Sequence, residues 1–182
     1  MTLPTLATER FRLRPLAAQD EALYVAIYTD DALMRHVGEP MTASDARRAF
    51  DAFLRSNAHA DLRRACCWVI ECGGDDSEVV GLIALSPHSG AAEIGVMVLA
   101  PWQGRKVAQE TIAFLSGHLF EEGAWPRTFS RHARDNDAGA GVMRRLGFHA
   151  MAEVPGGSAF RGWEMTRDEW MRRFAAQAGA GQ

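Results

Sequence analysis

Three consecutive strand patterns between residues 65 and 100 constrain this chain more than any other feature. Runs of apolar and β-branched residues, CCWVIE, EVVGLIAL and AEIGVMVLA, are separated by the turn-forming segments GGDDS (Gly73–Ser77) and SPHSG. Short turns of this kind join antiparallel neighbours, so the pattern predicts an antiparallel sheet. A helical period begins at about Val107, directly after the loop PWQGRKV, and continues to Glu121. The sequence therefore predicts a sheet with a helix packed on one face.

The rest of the chain adds further elements on both sides of this sheet. Further strands are predicted at 9–14 and 128–133 and in the segments FHAMAEV and SAFRGWEM. Further helices are predicted from Leu16 to Tyr28, from Ser44, from Asp137 to Leu146 with Gly147 as C-cap, and from a Thr166–Glu169 capping box to Phe174. Residues 30–41 are predicted to form a loop.

This order of elements predicts an α+β fold with a mixed, mostly antiparallel sheet of six to seven strands flanked by helices. The strand–helix–strand step at 92–132 favours one locally parallel pair. A chain of 182 residues is expected to form one domain, with an ordered core at about 8–172 and a flexible tail at 176–182.

Charge and hydropathy argue against several classes of function. The chain has 20 Lys and Arg against 23 Asp and Glu, a net charge of −3, so no overall basic field attracts nucleic acid or an anionic membrane. The longest apolar run, Ile94 to Trp102, is about half as long as a membrane span requires. The N-terminal sequence MTLPTLATERFRLRP lacks the apolar segment of a signal peptide.

The cysteines point to a reducing compartment. Cys66, Cys67 and Cys72 are odd in number and closely clustered, whereas a secreted disulfide framework normally has an even number spread along the chain. No second Cys/His pair stands at a spacing that would complete a zinc site, so no metal is expected. The sequence therefore predicts a soluble, cytoplasmic protein with reduced thiols.

The loop between the third strand pattern and its helix carries the clearest chemical signal. A glycine-containing loop at a helix N-terminus leaves backbone N–H groups unpaired beside the positive end of the helix dipole, and such a place binds phosphate. Arg105 and Lys106, the only lysine in the chain, add positive charge there. The alternative is a plain surface turn with exposed basic residues.

The chain resembles the GNAT acyltransferases in two separately spaced motifs. One is the Gln-x-x-Gly-x-Gly/Ala pattern of the loop that starts at Gln103, and the other is the segment NDAGAGVMRRLGF from Asn136, similar to the family's Asn-x-x-Ser…Leu-Gly-Phe stretch. The opening TERFRLRPLAAQD and the closing MTRDEW are similar to the subgroup that includes the ribosomal-protein N-terminal acetyltransferases. The similarity covers about residues 8–172 in the right order.

The resemblance implies an N-acetyltransferase with acetyl-CoA as acyl donor, acting by direct attack of a primary amine in a ternary complex. The donor is expected in a gap where the strand at 93–99 splays from the strand at 128–132. The residues implied to bind it come from that strand, the loop and the second motif: Val96, Met97, Val98, Gln103, Gly104, Arg105, Lys106, Val107, Ala108 and Asn136. For Asn136, a helix N-cap is a second interpretation, compatible with the first.

Proton transfer and acceptor binding need further residues. An amine must lose a proton to attack, and Glu93 and His132 are the candidate bases, with a strand-end charge and a packing role as the respective alternatives. The resemblance places the loop at 30–41 over the acceptor cleft, which makes Met34, Arg35 and His36 the expected substrate-side residues. A small-molecule or peptide amine is expected as acceptor, and a homodimer is compatible with the fold.

Three positions depart from the family pattern. Lys106 stands where the family has its central glycine, Gly139 replaces the serine of the second motif, and Met143 lies near the place of a tyrosine that protonates the departing thiolate in many members. The catalytic acid is therefore unassigned, and solvent could serve. The same departures motivate an alternative function, a catalytically silent module that binds or senses a CoA ester or another ligand.

Overall fold

A computed structural model describes residues 3–73 and 77–179. Within these residues the chain forms one eight-stranded sheet of order β1-β2-β3-β4-β5-β6-β8-β7. The strands are β1 (Leu6–Ala7), β2 (Phe11–Pro15), β3 (Cys66–Cys72), β4 (Glu78–His88), β5 (Ala91–Val98), β6 (Arg127–Ala133), β7 (His149–Ala150) and β8 (Phe160–Thr166). The helices are α1 (Glu21–Tyr28), α2 (Asp31–Met34), α3 (Ala43–Asn57), α4 (Val107–Glu121), α5 (Asp137–Leu146) and α6 (Arg167–Gly179).

Sheet pairing confirms the predicted α+β fold. All neighbouring strands in the described residues are antiparallel except β5 and β6, which run parallel. The sheet has eight strands instead of six to seven, because β1 was not predicted. Residues 74–76 of the turn predicted at Gly73–Ser77 lie outside the described residues.

Helices cover both faces of the sheet and divide the core in two. Ile94 of β5 belongs to a cluster that includes Leu115 of α4, whereas Met97 of the same strand belongs to a cluster that includes Tyr24 of α1 and Phe50 of α3. Residues an odd number apart on a strand point to opposite faces, so α4 lies on one face and α1 with α3 on the other.

Local cap chemistry fixes the helix ends as the sequence predicts. The Asn136 side chain caps α5, and Gly147 ends it in the left-handed conformation with φ 82°. Thr166 N donates to Glu169 Oε2 at 2.9 Å and Glu169 N donates to Thr166 Oγ1 at 3.3 Å, which is the predicted capping box of α6.

Three predicted boundaries were wrong. The segment FHAMAEV forms only the two-residue β7; Met151 N still donates to Gly162 O at 2.9 Å, after which the chain leaves the sheet and turns at Gly156 and Gly157, with φ of 89° and 81°. The predicted loop at 30–41 contains the one-turn helix α2, because the Asp30 side chain accepts a hydrogen bond from Leu33 N at 2.9 Å. The last helix continues past Phe174 to Gly179, into the predicted tail, and residues 180–182 lie outside the described part.

Candidate active site

A cleft of about 600 Å³ opens where β5 and β6 separate. The two strands pair only at Ala92 with Thr128 and at Glu93 with Phe129. Beyond this pair the Ser130 hydroxyl donates to Ile94 O at 2.5 Å, and the strands then diverge. The cleft therefore lies at the splayed strand pair that the sequence predicts.

Val96 presents an unpaired backbone to the cleft. Along a strand, the N–H and C=O of one residue point to the same side, and successive residues point to opposite sides. Ile94 O faces β6, where Ser130 reaches it, so Val96 and Val98 face the same way. Val98 O accepts from Gln103 Nε2 at 3.1 Å, whereas the described residues offer Val96 no β6 partner. An extended ligand can therefore pair with Val96 as an added half-strand.

The N-terminus of α4 forms the second wall. Glu110 N makes the first intrahelical bond, to Lys106 O at 3.0 Å, so the N–H groups of Val107, Ala108 and Gln109 have no partner within the helix. Lys106 adopts the left-handed conformation with φ 62° and ψ 18°, and Gly104 has φ 75°. The lysine thus takes the backbone conformation for which glycine is favoured. Gly104, Lys106, Val107, Ala108 and Gln109 all line the cleft.

Arg105 is the one predicted loop residue that does not line the cleft. Its guanidinium lies over the ring of Trp102, 5.0 Å from the ring centroid, and its carbonyl accepts a hydrogen bond from Arg10 Nη2 at 3.1 Å. Both contacts direct Arg105 to the outer side of the loop.

Glu93 lies in the cleft beside an arginine. Arg131 Nε donates to Glu93 Oε1 at 2.7 Å, and Arg131 Nη1 donates to Pro155 O at 2.8 Å. Within the described residues, the protein offers Glu93 Oε2 no hydrogen-bond donor. The carboxylate is therefore oriented by Arg131 and retains one oxygen for another partner.

His132 also lines the cleft, but both of its ring nitrogens are engaged. The indole Nε1 of Trp163 lies 3.0 Å from His132 Nε2, and because an indole can only donate, Nε2 accepts. Nδ1 then carries the proton and donates to Ala133 O at 2.9 Å. Burial lowers the pKa of His132, which favours this neutral form.

Residues of α5 form the remaining wall. Asn136 Oδ1 accepts from Gly139 N at 2.8 Å, which confirms the helix-cap interpretation and leaves the amide nitrogen of a cleft-lining side chain available. A Cβ on Gly139 would lie 2.9 Å from Asn136 Nδ2 and 3.0 Å from the His132 ring, so glycine fits this packing. Met143 is buried and lines the cleft with a thioether that has no proton to give.

The three predicted substrate-side residues lie in three different environments. Met34 is 3 % exposed, packs in the core with Tyr24 and Phe50 and does not line the cleft, so the structure does not support its place on the acceptor side. Arg35 is exposed and lies outside the cleft lining, whereas His36 does line it. His36 O accepts from Ala133 N at 2.8 Å, which attaches this segment to the end of β6.

Sequence reasoning missed several cleft residues. Among them are Tyr28, Leu33, Val37, Gln109, Ser130 and Arg145. Arg145 could have been found, because it lies seven residues after Ala138 and three after Val142 on one helical face. Val37, 40 % exposed, gave only the weak signal of an apolar residue beside His36.

Other predicted features concern chemistry outside the cleft. Cys66, Cys67 and Cys72 are free thiols, and burial raises the pKa of Cys66 to about 12. Among residues 3–73 and 77–179, no three His, Cys, Asp or Glu side chains are grouped so that they could hold a metal ion. In the same part of the chain, none of the helices has the length and apolar character to cross a membrane.

Solved structures share this fold over nearly the whole chain. An acetyltransferase from Agrobacterium tumefaciens str. C58 is 25 % identical with a TM-score of 0.78, covering 91 % of this chain and 95 % of that one. The ribosomal L7/L12 α-N-protein acetyltransferase RimL, in complex with coenzyme A, is 20 % identical with a TM-score of 0.71, covering 93 % and 99 %. A spermidine N-acetyltransferase from Vibrio cholerae, in complex with CoA and spermine, is 15 % identical with a TM-score of 0.73, covering 89 % and 98 %.

The sequence itself gives the family. No curated protein matches the chain significantly. The family model described as acetyltransferase (GNAT) domain matches residues 10–149, about three quarters of the chain. The match contains the loop at the N-terminus of α4, the splayed strands and α5. The chain therefore belongs to the GNAT acetyltransferase family.

Proposed function

We propose that this protein transfers an acetyl group from acetyl-CoA to a primary amine, by direct attack of the amine on the thioester in a ternary complex. One observation carries the proposal. The unpaired backbone of Val96 and the free N–H groups at the start of α4 line the same cleft, which opens to both faces of the sheet through the gap between β5 and β6. The Val96 backbone suits an amide-bearing arm, and the N-terminus of α4 suits phosphate.

The residues of the cleft fit coenzyme A along its length. The diphosphate would accept hydrogen bonds from Val107, Ala108 and Gln109 N–H, with the Lys106 ammonium nearby. A pantetheine amide N–H would donate to Val96 O, flanked by Met97 and Val98, and the Asn136 amide nitrogen would donate to the arm. Gln103 and Gly104 shape the loop rather than supply charge.

The thioester supplies an electrophilic carbonyl carbon and a sulfur leaving group. The amine nitrogen would form the C–N bond as the C–S bond breaks, and the excess proton on nitrogen would pass to a base. In this proposal Val96 N–H would donate to the oxyanion that forms on the carbonyl oxygen. A preorganised donor of this kind would contribute more than it would in water, provided that the bound ligands displace water from the cleft.

Glu93 is the preferred base. It shares one face of β5 with Met97, next to α1, and Oε2 can take a proton directly or through one water. His132 is the second candidate, although Nε2 would first have to give up the Trp163 hydrogen bond. Met143 supplies no proton, so solvent would protonate the departing thiolate.

The acceptor would enter on the face that carries α1 and α2, where Tyr28, Leu33, His36 and Val37 line the cleft. The relatives named above act on a ribosomal-protein α-amino group and on spermidine, so peptide α-amines and polyamines are the first acceptors to test.

Calorimetry and thiol release test the proposal in two steps. Titration with acetyl-CoA should give saturable binding, and no heat at millimolar acetyl-CoA would overturn the proposal. CoA thiol release is then measured with spermidine and with a lysine-free peptide that has a free α-amine. The same peptide with its α-amine acetylated is the matched control, and it should give only the rate of hydrolysis.

A second function is favoured by the side chains at 106 and 143. Lys106 occupies the loop where the family pattern has glycine, and Met143 cannot act as an acid. Binding of acetyl-CoA without thiol release above hydrolysis, across the whole amine panel, would support a silent module that senses a CoA ester.

A further inference from the structure

The loop before α4 holds a conformation that its own sequence does not favour. A non-glycine residue in the left-handed region costs roughly 1–2 kcal/mol, so Lys106 stays there only because its surroundings determine it. Gln103 braces the start of the loop through Val98 O, but that contact lies three residues before Lys106. A further restraint must act on the Arg105–Lys106 peptide itself.

Arg10, next to β2, supplies that restraint. Its Nη2 donates to Arg105 O at 3.1 Å, and its Nε donates to Glu110 Oε2 at 2.7 Å. Glu110 is fixed in turn, because Oε1 accepts from Arg10 N at 2.9 Å and from Thr8 Oγ1 at 2.6 Å. One guanidinium thus joins the loop to the first turn of α4.

The direction of the restrained peptide matters for binding. In a trans peptide the C=O and the following N–H point in opposite directions. Arg105 O points to Arg10, which does not line the cleft, so Lys106 N–H points away from Arg10. Lys106 itself does line the cleft, which places this N–H on the cleft side with those of Val107 and Ala108.

We propose that Arg10 is a positioning residue for the diphosphate of coenzyme A, acting through Arg105 O and Glu110 to aim the Lys106 amide into the cleft. This inference rests on the proposed function. Arg10 makes no contact with the ligand itself, and it strengthens binding because the loop is ordered before the ligand arrives.

Four variants and two probes test the inference. CoA binding is measured by calorimetry, and binding of pantetheine, which lacks the diphosphate, is measured by ligand-observed NMR. Arg10→Ala removes the charge-assisted hydrogen bonds to Arg105 O and Glu110 that hold the loop, so CoA binding should weaken about tenfold. Pantetheine binding should stay unchanged, because pantetheine has no diphosphate to contact the loop. Arg10→Lys keeps the charge and the Glu110 ion pair, but one ammonium cannot replace the two-pronged contact, so CoA binding should again weaken. Glu110→Gln should act in the same direction.

Arg12→Ala is the matched control. Arg12 lies two residues away, its side chain is 51 % exposed against 45 % for Arg10, and it pairs with Glu71 instead of with Glu110. It removes the same charge and should leave CoA binding unchanged. If Arg12→Ala lost as much CoA affinity as Arg10→Ala, Arg10 would act through long-range charge and not by positioning the loop. If Arg10→Ala weakened CoA and pantetheine binding equally, the substitution would have damaged the protein in general, and the inference would fail. If both Arg10 variants bound CoA as tightly as the wild type, the inference would be overturned and the proposed function would stand. If the wild-type protein bound no CoA, both the proposed function and the inference would be overturned.

Discussion

Trp163 donates its indole N–H to Nε2 of His132 across 3.0 Å, from β8 to its neighbour β6. Only the neutral imidazole can accept this hydrogen bond, so the contact acts in the same direction as burial, which lowers the pKa of His132. The ring is thereby held in one tautomer at the edge of the cleft. Whether His132 serves as a base depends on this one contact.

Replacing Trp163 by Phe should therefore raise the pKa of His132. The substitution removes the donor and keeps most of the aromatic packing, and NMR titration of the imidazole resonances measures the result. Trp125→Phe is the control, because that indole donates to Leu62 O, away from His132. An unchanged His132 titration in Trp163→Phe would show that burial alone sets this pKa.

Lys106→Gly should stabilise the fold and weaken CoA binding. Glycine relieves the left-handed strain, so the free energy of unfolding in urea should rise by about 1 kcal/mol. Loss of the ammonium should lower CoA affinity a few-fold at low salt and less at high salt. Ser89→Gly is the matched control, since Ser89 also has positive φ, 46°, but lies outside the cleft lining. Tighter CoA binding by Lys106→Gly would mean that the lysine obstructs the phosphates.

Two substitutions of Asn136 separate its two roles. Asn136→Ser keeps a capping oxygen for Gly139 N and removes the amide, whereas Asn136→Ala removes both. The alanine variant should lose about 1 kcal/mol of unfolding free energy and the serine variant much less. Both should bind CoA more weakly by calorimetry. Wild-type affinity in Asn136→Ser would show that Asn136 only caps α5.

The ion pairs of Glu71 predict how stability depends on pH. Burial alone would raise the pKa of Glu71, but hydrogen bonds from Arg14 and Arg12 outweigh it and lower the pKa below 4.5. A depressed pKa means that this stabilisation is present above 4.5 and is lost as the pH falls through the folded-state value. Urea denaturation between about pH 6 and pH 3 should show the gap between wild type and Glu71→Gln closing as the pH falls. A gap independent of pH would contradict this assignment.

The sequence predicts those parts of the molecule that local chemistry determines. The apolar periods of β3, β4, β5 and α4 are visible in consecutive residues, and the caps of α5 and α6 are set by residues three apart. Because the cleft follows from where these elements begin and end, most of the residues that line its β5 and α4 walls could be predicted.

Contacts between distant residues could not be predicted. Arg10 and Arg105 are 95 positions apart, and His132 and Trp163 are 31 apart, so no local pattern indicates either hydrogen bond. Met34 shows the same limit on the acceptor side. The four-residue helix α2 is too short for an apolar pattern to show which side chains pack inward. Met34 packs in the core, whereas His36 lines the cleft.

Glu93→Gln tests the proposed base directly. The amide keeps the size of the side chain but cannot take a proton, so thiol release with the best amine should fall about 100-fold, the usual contribution of a general base. CoA affinity by calorimetry should stay the same, because Glu93 lies away from the loop that would bind phosphate. Glu164→Gln is the matched control, since that carboxylate is also paired with an arginine, Arg127, but does not line the cleft. Full activity in Glu93→Gln would contradict this role and would mean that the proton passes to His132 or that the amine binds in its neutral form.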